Sequence, residues 1–157
     1  MSGGSLIRVG FTGTRVGMTA QQISEVTALF EKLNPPPMKG TLHHGDCMGC
    51  DAQAHILARK VGYNIVIHPP SKTGRRAYCK GDSVWPAKDY LVRNRDIVDN
   101  CDRMIATPKG TEEELRSGTW TTIRYAKAVG RMMYIVFPNG EVQVFVSHSG
   151  SDRMWGT

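Results

Sequence analysis

The residues with the clearest capacity for chemistry are Ser117, Gly118 and Thr119, which lie between an apolar segment and a helical pattern. The apolar residues at 104–106 predict a buried strand, and the apolar spacing over 119–129 predicts a helix. The first backbone N–H groups of a helix have no partner within it, and glycine lets a ligand approach the main chain closely. We therefore predict that these three residues bind a phosphate group.

A second candidate phosphate contact is the loop that contains Gly13, Thr14 and Arg15, which follows the first apolar segment of the chain. Glycine permits a tight turn, the threonine hydroxyl can donate a hydrogen bond, and the guanidinium can make a forked contact with phosphate oxygens. The loop lacks the three-glycine dinucleotide fingerprint and the lysine of a P-loop, so a purely structural turn is the alternative.

The cysteine-containing stretch 43–55 admits two interpretations. Cys47 and Cys50 have the Cys-x-x-Cys spacing of a zinc clip, and either His55 or His44 could complete the ligand set. No second cysteine pair lies at the distance typical of a zinc ribbon, so we expect no metal here.

The interpretation that we adopt for this stretch is a glycine-containing turn ahead of a helix. Gly45 and Gly49 free the backbone, and Asp51 caps the helix. We predict that Asp46 contacts a ribose hydroxyl and that Gly49 also lies against the ligand.

Basic side chains are concentrated over residues 71–95, which carry seven lysines and arginines, two carboxylates and three aromatic residues. This composition suits a nucleotide or single-stranded nucleic acid, and a solvated loop is the alternative. We predict that Arg75 and Arg76 contact the ligand. The stretch 69–87 has no periodicity, and its length indicates a binding lid.

Arg93 and Arg95 lie on a predicted helix, where Arg93 shares a face with Ile97. We expect one arginine of this helix to reach the ligand, and we select Arg95. A surface ion pair between Arg95 and Asp99 is the alternative.

The candidates for a catalytic acid or base are the adjacent residues Glu112, Glu113 and Glu114. A glutamate in this loop could also hold a ribose. Three neighbouring acids are otherwise typical of a solvated loop, and they would repel an anion bound nearby.

The order of predicted elements indicates an α/β fold with a doubly wound, mostly parallel sheet of five strands and helices on both faces. Strands are predicted over 6–11, 41–44, 65–68, 104–106 and 133–137, and helices over 19–33, 51–61, 90–100 and 119–129. Asn139 and Gly140 have the composition of a two-residue hairpin turn, which predicts an antiparallel edge strand over 141–146. In such sheets, ligands bind beyond the carboxyl ends of the strands, where the candidate loops would gather.

Composition sets broader limits on the chain. Its 157 residues predict one domain over 1–157, with a flexible start at 1–5 and a tail at 147–157. The chain shows neither a signal segment nor a membrane-spanning run, so we expect a cytoplasmic protein with no membrane partner. Four cysteines in a chain of this size need no disulfides. A net charge of +6 favours phosphate-bearing partners.

Taken in order, these motifs resemble the Rossmann-like domain of the DNA-processing protein DprA (Smf), within the SLOG superfamily that also contains the LOG phosphoribohydrolases. The matching stretches are 13–15, 49–55, 94–97, 117–122 and 126–131, which span most of the chain. The resemblance implies a Rossmann-like fold and DNA-phosphate or nucleotide contacts for Arg15, Arg95, Ser117, Gly118 and Thr119. It also implies a homodimer.

The resemblance departs from the hydrolase branch at one position. The glutamate that acts on the ribose in that branch corresponds to Thr122 here, and a threonine cannot serve as a carboxylate acid or base. We therefore expect a binding protein for a nucleotide, a nucleotide-derived signal or single-stranded nucleic acid, without a cofactor. The alternatives are a nucleotide N-glycoside hydrolase and a zinc-stabilised interaction module.

Overall fold

The fold is built around a seven-stranded sheet with four helices, in a computed structural model that describes residues 6–146. The predicted start at 1–5 and the tail at 147–157 lie outside the described residues. The strands are β1 (Arg8–Gly13), β2 (Thr41–His44), β3 (Asn64–Ile67), β4 (Ser83–Val84), β5 (Arg103–Thr107), β6 (Met132–Val136) and β7 (Val142–Phe145). The helices are α1 (Ala20–Leu33), α2 (Cys50–Val61), α3 (Tyr90–Asp99) and α4 (Gly118–Ala128).

The sheet has the strand order β4-β3-β2-β1-β5-β6-β7, and every neighbouring pair is parallel except β6 and β7. The predicted parallel sheet with an antiparallel edge strand is therefore confirmed. Two details differ from the prediction. A two-residue strand, β4, lies within the stretch expected to be structureless, because so short a strand leaves no periodicity to detect. The hairpin turn occupies 138–140, since the Phe137 N–H donates to the Glu141 carbonyl.

Two apolar clusters pack on opposite faces of the sheet, which explains why the strands read as nearly continuous hydrophobic runs. One cluster joins α1 and α2 to the sheet through residues such as Phe30, Leu42 and Ile65. The other joins α3 and α4 to the sheet through residues such as Ile97 and Ile123. The helices therefore cover both faces and leave the carboxyl ends of the parallel strands free to form a site.

Helix α1 begins with the predicted capping box. The Thr19 hydroxyl accepts from the Gln22 N–H, and the Gln22 side chain accepts from the Thr19 N–H. The buried Gln22 amide also donates to the carbonyls of Pro108 and Val136, both at 2.9 Å. The start of α1 is thus tied to the ends of β5 and β6. Among residues 6–146, no helix is long and apolar enough to cross a bilayer.

Candidate functional site

A cleft of about 820 Å³ opens at the carboxyl ends of β1, β2 and β5. Its walls come from the loops that follow β1, β2, β3 and β5, together with one side of α3. The predicted ligand residues that line it are Gly13, Thr14, Arg15, Arg75, Ser117, Gly118 and Thr119. The loop after β1 and the start of α4, which are about 100 positions apart in the sequence, therefore face the same cavity.

The start of α4 presents backbone donors to this cleft. Ser117 is the N-cap residue, and its hydroxyl accepts from the Trp120 N–H at 3.2 Å. Among the described residues, the N–H groups of Gly118 and Thr119 have no hydrogen-bond acceptor. An added Cβ at Gly118 would meet no heavy atom within 4 Å, so the space above this helix start is open. The geometry fits an anion.

The loop after β1 is held in place by close backbone packing. The Thr14 carbonyl accepts from the Cys50 N–H at 3.0 Å. A Cβ on Gly13 would lie 2.3 Å from the Thr107 hydroxyl, and a Cβ on Gly49 would lie 2.3 Å from the Arg15 carbonyl oxygen. Gly49 also has a φ of +91°, which favours glycine. Gly49 thus supports the Arg15 backbone and is not part of the cleft lining.

Arg93 forms the buried floor of the cleft, and the sequence analysis selected its neighbour Arg95 instead. Only 3% of Arg93 is exposed. Its Nη1 donates to the carbonyls of Gly45 at 2.6 Å and His68 at 3.1 Å, and its Nε donates to the Asn94 amide oxygen. Among the described residues it forms no ion pair. A buried guanidinium without an anionic partner is costly, and a bound anion would offset this cost.

Arg95 lies outside the cleft. Its guanidinium stacks over the Tyr125 ring at 5.1 Å, and it lines a smaller pocket of about 320 Å³ between α3 and α4. Helical spacing could have distinguished the two arginines, because it places Arg93, and not Arg95, on the same face of the helix as the buried Ile97.

Asp46 and Arg76 are paired with each other and do not line the cleft. Asp46 is fully buried, and its carboxylate accepts from Arg76 Nε at 2.8 Å and from the Cys79 N–H at 2.9 Å. A carboxylate in this position has no free surface for a ribose.

The stretch 69–87, expected to be a lid, lies within a segment, 69–88, that is attached to the loop after β2. The Ala77 N–H donates to the Asp46 carbonyl at 2.7 Å, and the Met48 N–H donates to the Arg75 carbonyl at 2.9 Å. These bonds make the segment a fixed wall that places Lys72 and Arg75 in the cleft.

Asp51 and Cys47 occupy the same wall as Arg93. The Asp51 carboxylate accepts from the Cys47 N–H at 3.2 Å, so it stabilises the preceding turn. The N-cap residue of α2 is Gly49 and not the predicted Asp51. Burial raises the pKa of Asp51 to about 6, against the opposing effect of Arg93. Burial also raises the pKa of the Cys47 thiol, which argues against a thiolate nucleophile.

The three glutamates after β5 are separated in the structure. Glu114 lines the cleft and lies 3.7 Å from Lys109, whereas Glu113 pairs with Arg124 outside it at 2.7 Å. Glu112 is exposed and does not line the cleft. Thr122 is buried, and its hydroxyl donates to the Gly118 carbonyl.

The cysteines expected in the alternative zinc clip contact different groups. The Cys50 thiol lies 3.8 Å from the Thr14 hydroxyl, and the Cys47 thiol lies 3.6 Å from Arg93 Nη2. His55 instead belongs to a cluster with His44 and Cys79, whose potential ligand atoms lie within 4.8 Å of one another.

Hydrogen bonding fixes the proton arrangement of the cluster formed by His44, His55 and Cys79. The Asp46 N–H donates to Nδ1 of His44 at 2.9 Å, so a neutral His44 carries its proton on Nε2. That Nε2 lies 2.9 Å from Nδ1 of His55 and donates to it. A histidine metal ligand needs a free lone pair on the ligating nitrogen and normally donates from the other one. The observed arrangement is the reverse, so these residues do not fit a metal ion.

Positive charge dominates the cleft. Six basic side chains line it, against the carboxylates of Asp51 and Glu114: Arg15, Lys72, Arg75, Arg93, Lys109 and Arg116. Four positive charges remain if both carboxylates are ionised, out of a net charge of +6 for the whole chain. Among the described residues, only Lys109 of the six forms an ion pair. The sequence analysis did not select Lys72, Arg93, Lys109 or Arg116.

Comparisons with known proteins support the fold. No protein-family model matches the sequence, and no curated protein matches it significantly. Among solved structures, the molybdenum cofactor binding protein of the phototrophic bacterium Rippkaea orientalis aligns with a TM-score of 0.66 and 17% identity, over 96% of this chain and 94% of that chain.

Two DprA structures also align with the chain. DprA from Streptococcus pneumoniae has a TM-score of 0.58 and 21% identity, over 83% of this chain and 50% of that chain. DprA from Helicobacter pylori, described for its single-stranded DNA binding mode, has a TM-score of 0.56 and 17% identity, over 83% and 65%. The Rossmann-like fold implied by the resemblance to DprA is confirmed.

Proposed function

We propose that the cleft binds the phosphate groups of a nucleotide or nucleotide-derived ligand. The observation that carries the proposal is the shared cavity of Arg15 and the α4 start, in which most of the basic side chains lack a carboxylate partner within residues 6–146. Main-chain N–H groups at a helix start and a guanidinium are the donors that phosphate oxygens prefer. Ser117, Gly118, Thr119 and Arg15 would hold the phosphate, and Arg93 would supply the buried charge.

Single-stranded nucleic acid is the alternative ligand, and the DprA neighbours favour including it in the test. Salt dependence separates the two ligands, because a strand that contacts several lysines and arginines releases more counterions than a mononucleotide does. Titration with AMP and with a labelled dodecanucleotide at two salt concentrations would distinguish them.

The molybdenum cofactor belongs in the same panel of ligands, since the Rippkaea orientalis protein is described as binding it and aligns over nearly its whole length. A protein that binds none of these ligands would contradict the proposal.

The most informative single substitution for testing the phosphate site at the α4 start is Gly118→Ala. The added methyl group contacts no protein atom, and alanine favours the helix over glycine by roughly 0.5–1 kcal/mol, so the fold should not be weakened. The methyl group would however take up part of the open space of the cleft beside the α4 start. We expect the affinity for phosphate ligands to fall by about tenfold or more, which corresponds to about 1.4 kcal/mol.

Gly110→Ala is the matched control, because a Cβ there also meets nothing within 4 Å and Gly110 does not line the cleft. A second pair compares Arg15→Ala with Arg95→Ala. Both variants lose one charge, but only Arg15 lines the cleft. Equal losses of affinity in the Arg15 and Arg95 variants would place the ligand elsewhere.

Hydrolysis of a nucleotide N-glycosidic bond is a second candidate function, supported by the position of Glu114 in the cleft. A carboxylate next to a bound ribose could supply acid or base chemistry. Release of free base from AMP, and its loss in Glu114→Gln but not in Glu112→Gln, would support this function. No turnover across a panel of nucleotides would exclude it.

A further inference from the structure

Five of the six basic residues of the cleft fall into two groups on opposite sides of β1, and the sixth, Arg15, follows β1 itself. Arg93 is fixed to the carbonyls of Gly45 and His68, which follow β2 and β3. Lys109 and Arg116 belong to the loop that follows β5 and leads into α4. Since β1 lies between β2 and β5, the attachment points of the two groups are separated by two strand spacings, or about 10 Å.

Each group contains donors that cannot move to meet the other. On one side, the Arg93 guanidinium is buried and held by two carbonyls. On the other side, the donors are main-chain N–H groups of Gly118 and Thr119 at the start of α4. Hydrogen bonds to phosphate require about 2.7–3.2 Å between heavy atoms, so attachment points about 10 Å apart favour two separate phosphate groups over a single one.

The Arg93 side also has its own supporting cations. Lys72 and Arg75 line the cleft from the segment 69–88. The Arg75 carbonyl accepts from the Met48 N–H in the loop after β2, the same loop whose Gly45 carbonyl accepts from Arg93. Neither Lys72 nor Arg75 forms an ion pair among the described residues, so both are available for a second anionic group.

We propose that the cleft contains two separate anion subsites, one at the α4 start and one at Arg93, and that its ligand carries two phosphate groups at separated positions. A 5′-phosphorylated dinucleotide has this chemistry, and a nucleoside monophosphate does not. The inference rests on the proposed phosphate-binding function. The two phosphate groups could belong to a free dinucleotide or to the phosphorylated end of a longer single strand.

The test compares AMP with the 5′-phosphorylated dinucleotide pApA and with a 5′-phosphorylated dodecamer, by calorimetric titration at one salt concentration. We expect pApA to bind about tenfold tighter than AMP or more. A dodecamer that binds no tighter than pApA would identify a free dinucleotide as the ligand class. A further gain with length would identify the end of a strand, and the two-subsite proposal would hold in both cases.

Substitutions test which residues belong to each of the two subsites. Lys72→Ala combined with Arg75→Ala should reduce pApA affinity to within about threefold of the wild-type AMP value and should weaken AMP binding by a clearly smaller factor. Gly118→Ala should weaken both ligands. The control is Lys39→Ala combined with Lys60→Ala, which removes two exposed charges outside the cleft and should change neither affinity.

Three outcomes would overturn the inference. Equal affinities for AMP and pApA would mean that only one subsite exists. A Lys72/Arg75 double variant that weakens AMP and pApA by the same factor would mean that one shared site holds both ligands. If neither ligand binds at all, the proposed phosphate-binding function fails as well, and the inference fails with it.

Discussion

Arg93 occupies the space that a side chain at Gly45 would need. Its Nη1 donates to the Gly45 carbonyl at 2.6 Å, and a Cβ built on Gly45 would lie 2.6 Å from the same Nη1. The absence of a side chain at Gly45 is therefore what allows a buried guanidinium at the floor of the cleft. The glycine requirement here comes from contact with Arg93 rather than from backbone torsion.

Gly45→Ala should displace the Arg93 guanidinium. Overpacking of this kind costs typically 1–3 kcal/mol, so we expect a loss of stability in that range and weaker phosphate binding. Urea unfolding and ligand titration would measure the two effects. Gly110→Ala provides the control, since its added methyl group has open space around it. A Gly45→Ala protein with wild-type stability and affinity would show that Arg93 can move without consequence.

Asp46→Ala should weaken the attachment of the segment 69–88 to the loop after β2, because the side-chain bonds of Asp46 are lost while the main-chain bonds remain. The substitution leaves Arg76 Nε and the Cys79 N–H without their acceptor, and unsatisfied groups of this kind cost about 1–3 kcal/mol. We expect faster proteolysis at Lys72 and Arg75 and weaker binding of ligands that use them.

The control for Asp46→Ala is Glu113→Ala, which breaks an exposed pair with Arg124 and should cost less than about 1 kcal/mol. Equal proteolysis rates for the Asp46 and Glu113 variants would show that Asp46 does not anchor the wall.

Acidification should destabilise the protein below about pH 6.5 because of its buried histidines. Burial lowers the pKa of His43 to about 4 and those of His44 and His68 to about 3, from an ordinary value of 6.5. The unfolded chain therefore binds more protons than the folded one as the pH falls from 6.5 towards 3, and stability is lost over this window. Asp51 acts in the opposite direction, because its raised pKa favours the folded state at lower pH.

The three histidines outnumber this carboxyl, so the net effect of acidification is a loss. Thermal melts at pH 7.5, 5.5 and 4.5 would measure it, and each 1 kcal/mol should lower Tm by roughly 2–4 °C. His68 packs on Trp85 with ring centroids 4.4 Å apart, so tryptophan fluorescence gives a local readout. A Tm that stays constant between pH 7.5 and 4.5 would contradict the prediction.

Chelation of divalent metals should leave the stability unchanged. The Nε2 proton of His44 is directed at His55, and Nδ1 is occupied by the Asp46 N–H, so no lone pair of His44 faces the cluster. We expect the same Tm with and without EDTA and less than stoichiometric zinc in the purified protein. A drop in Tm with EDTA that zinc reverses, and that His55→Ala abolishes, would establish a metal site.

The sheet could be predicted from the sequence because its signals are local. Apolar runs bounded by loops mark the parallel strands, and Thr19 with Gln22 marks the start of α1 through contacts three residues apart. Ser117 and Gly118 could be placed at the cleft for the same reason, since a helix start after a buried strand lies at the carboxyl edge of a parallel sheet.

The predicted site residues that do not line the cleft include ones whose side-chain pairing is long-range. The pairing of Asp46 with Arg76 spans 30 positions, and nothing in either local pattern indicates that the two side chains pair with each other. Lys109 and Arg116 were likewise not predicted to contact the ligand, because nothing in their local sequence indicates that the fold brings them into the same cleft as Lys72 and Arg75.

The cleft draws its lining from the ends of four strands that are adjacent in the sheet and distant along the chain. A ligand that contacts all four strand ends would connect the central strands of the sheet. The unfolded chain has no equivalent binding site, so such a ligand would bind only the folded protein. Ligand at a hundredfold excess over its Kd would therefore add about 2.7 kcal/mol to the stability of the native protein. If the proposed ligand binds, the free energy of unfolding would depend on its concentration, and the ligand-free protein would unfold at the lower temperature.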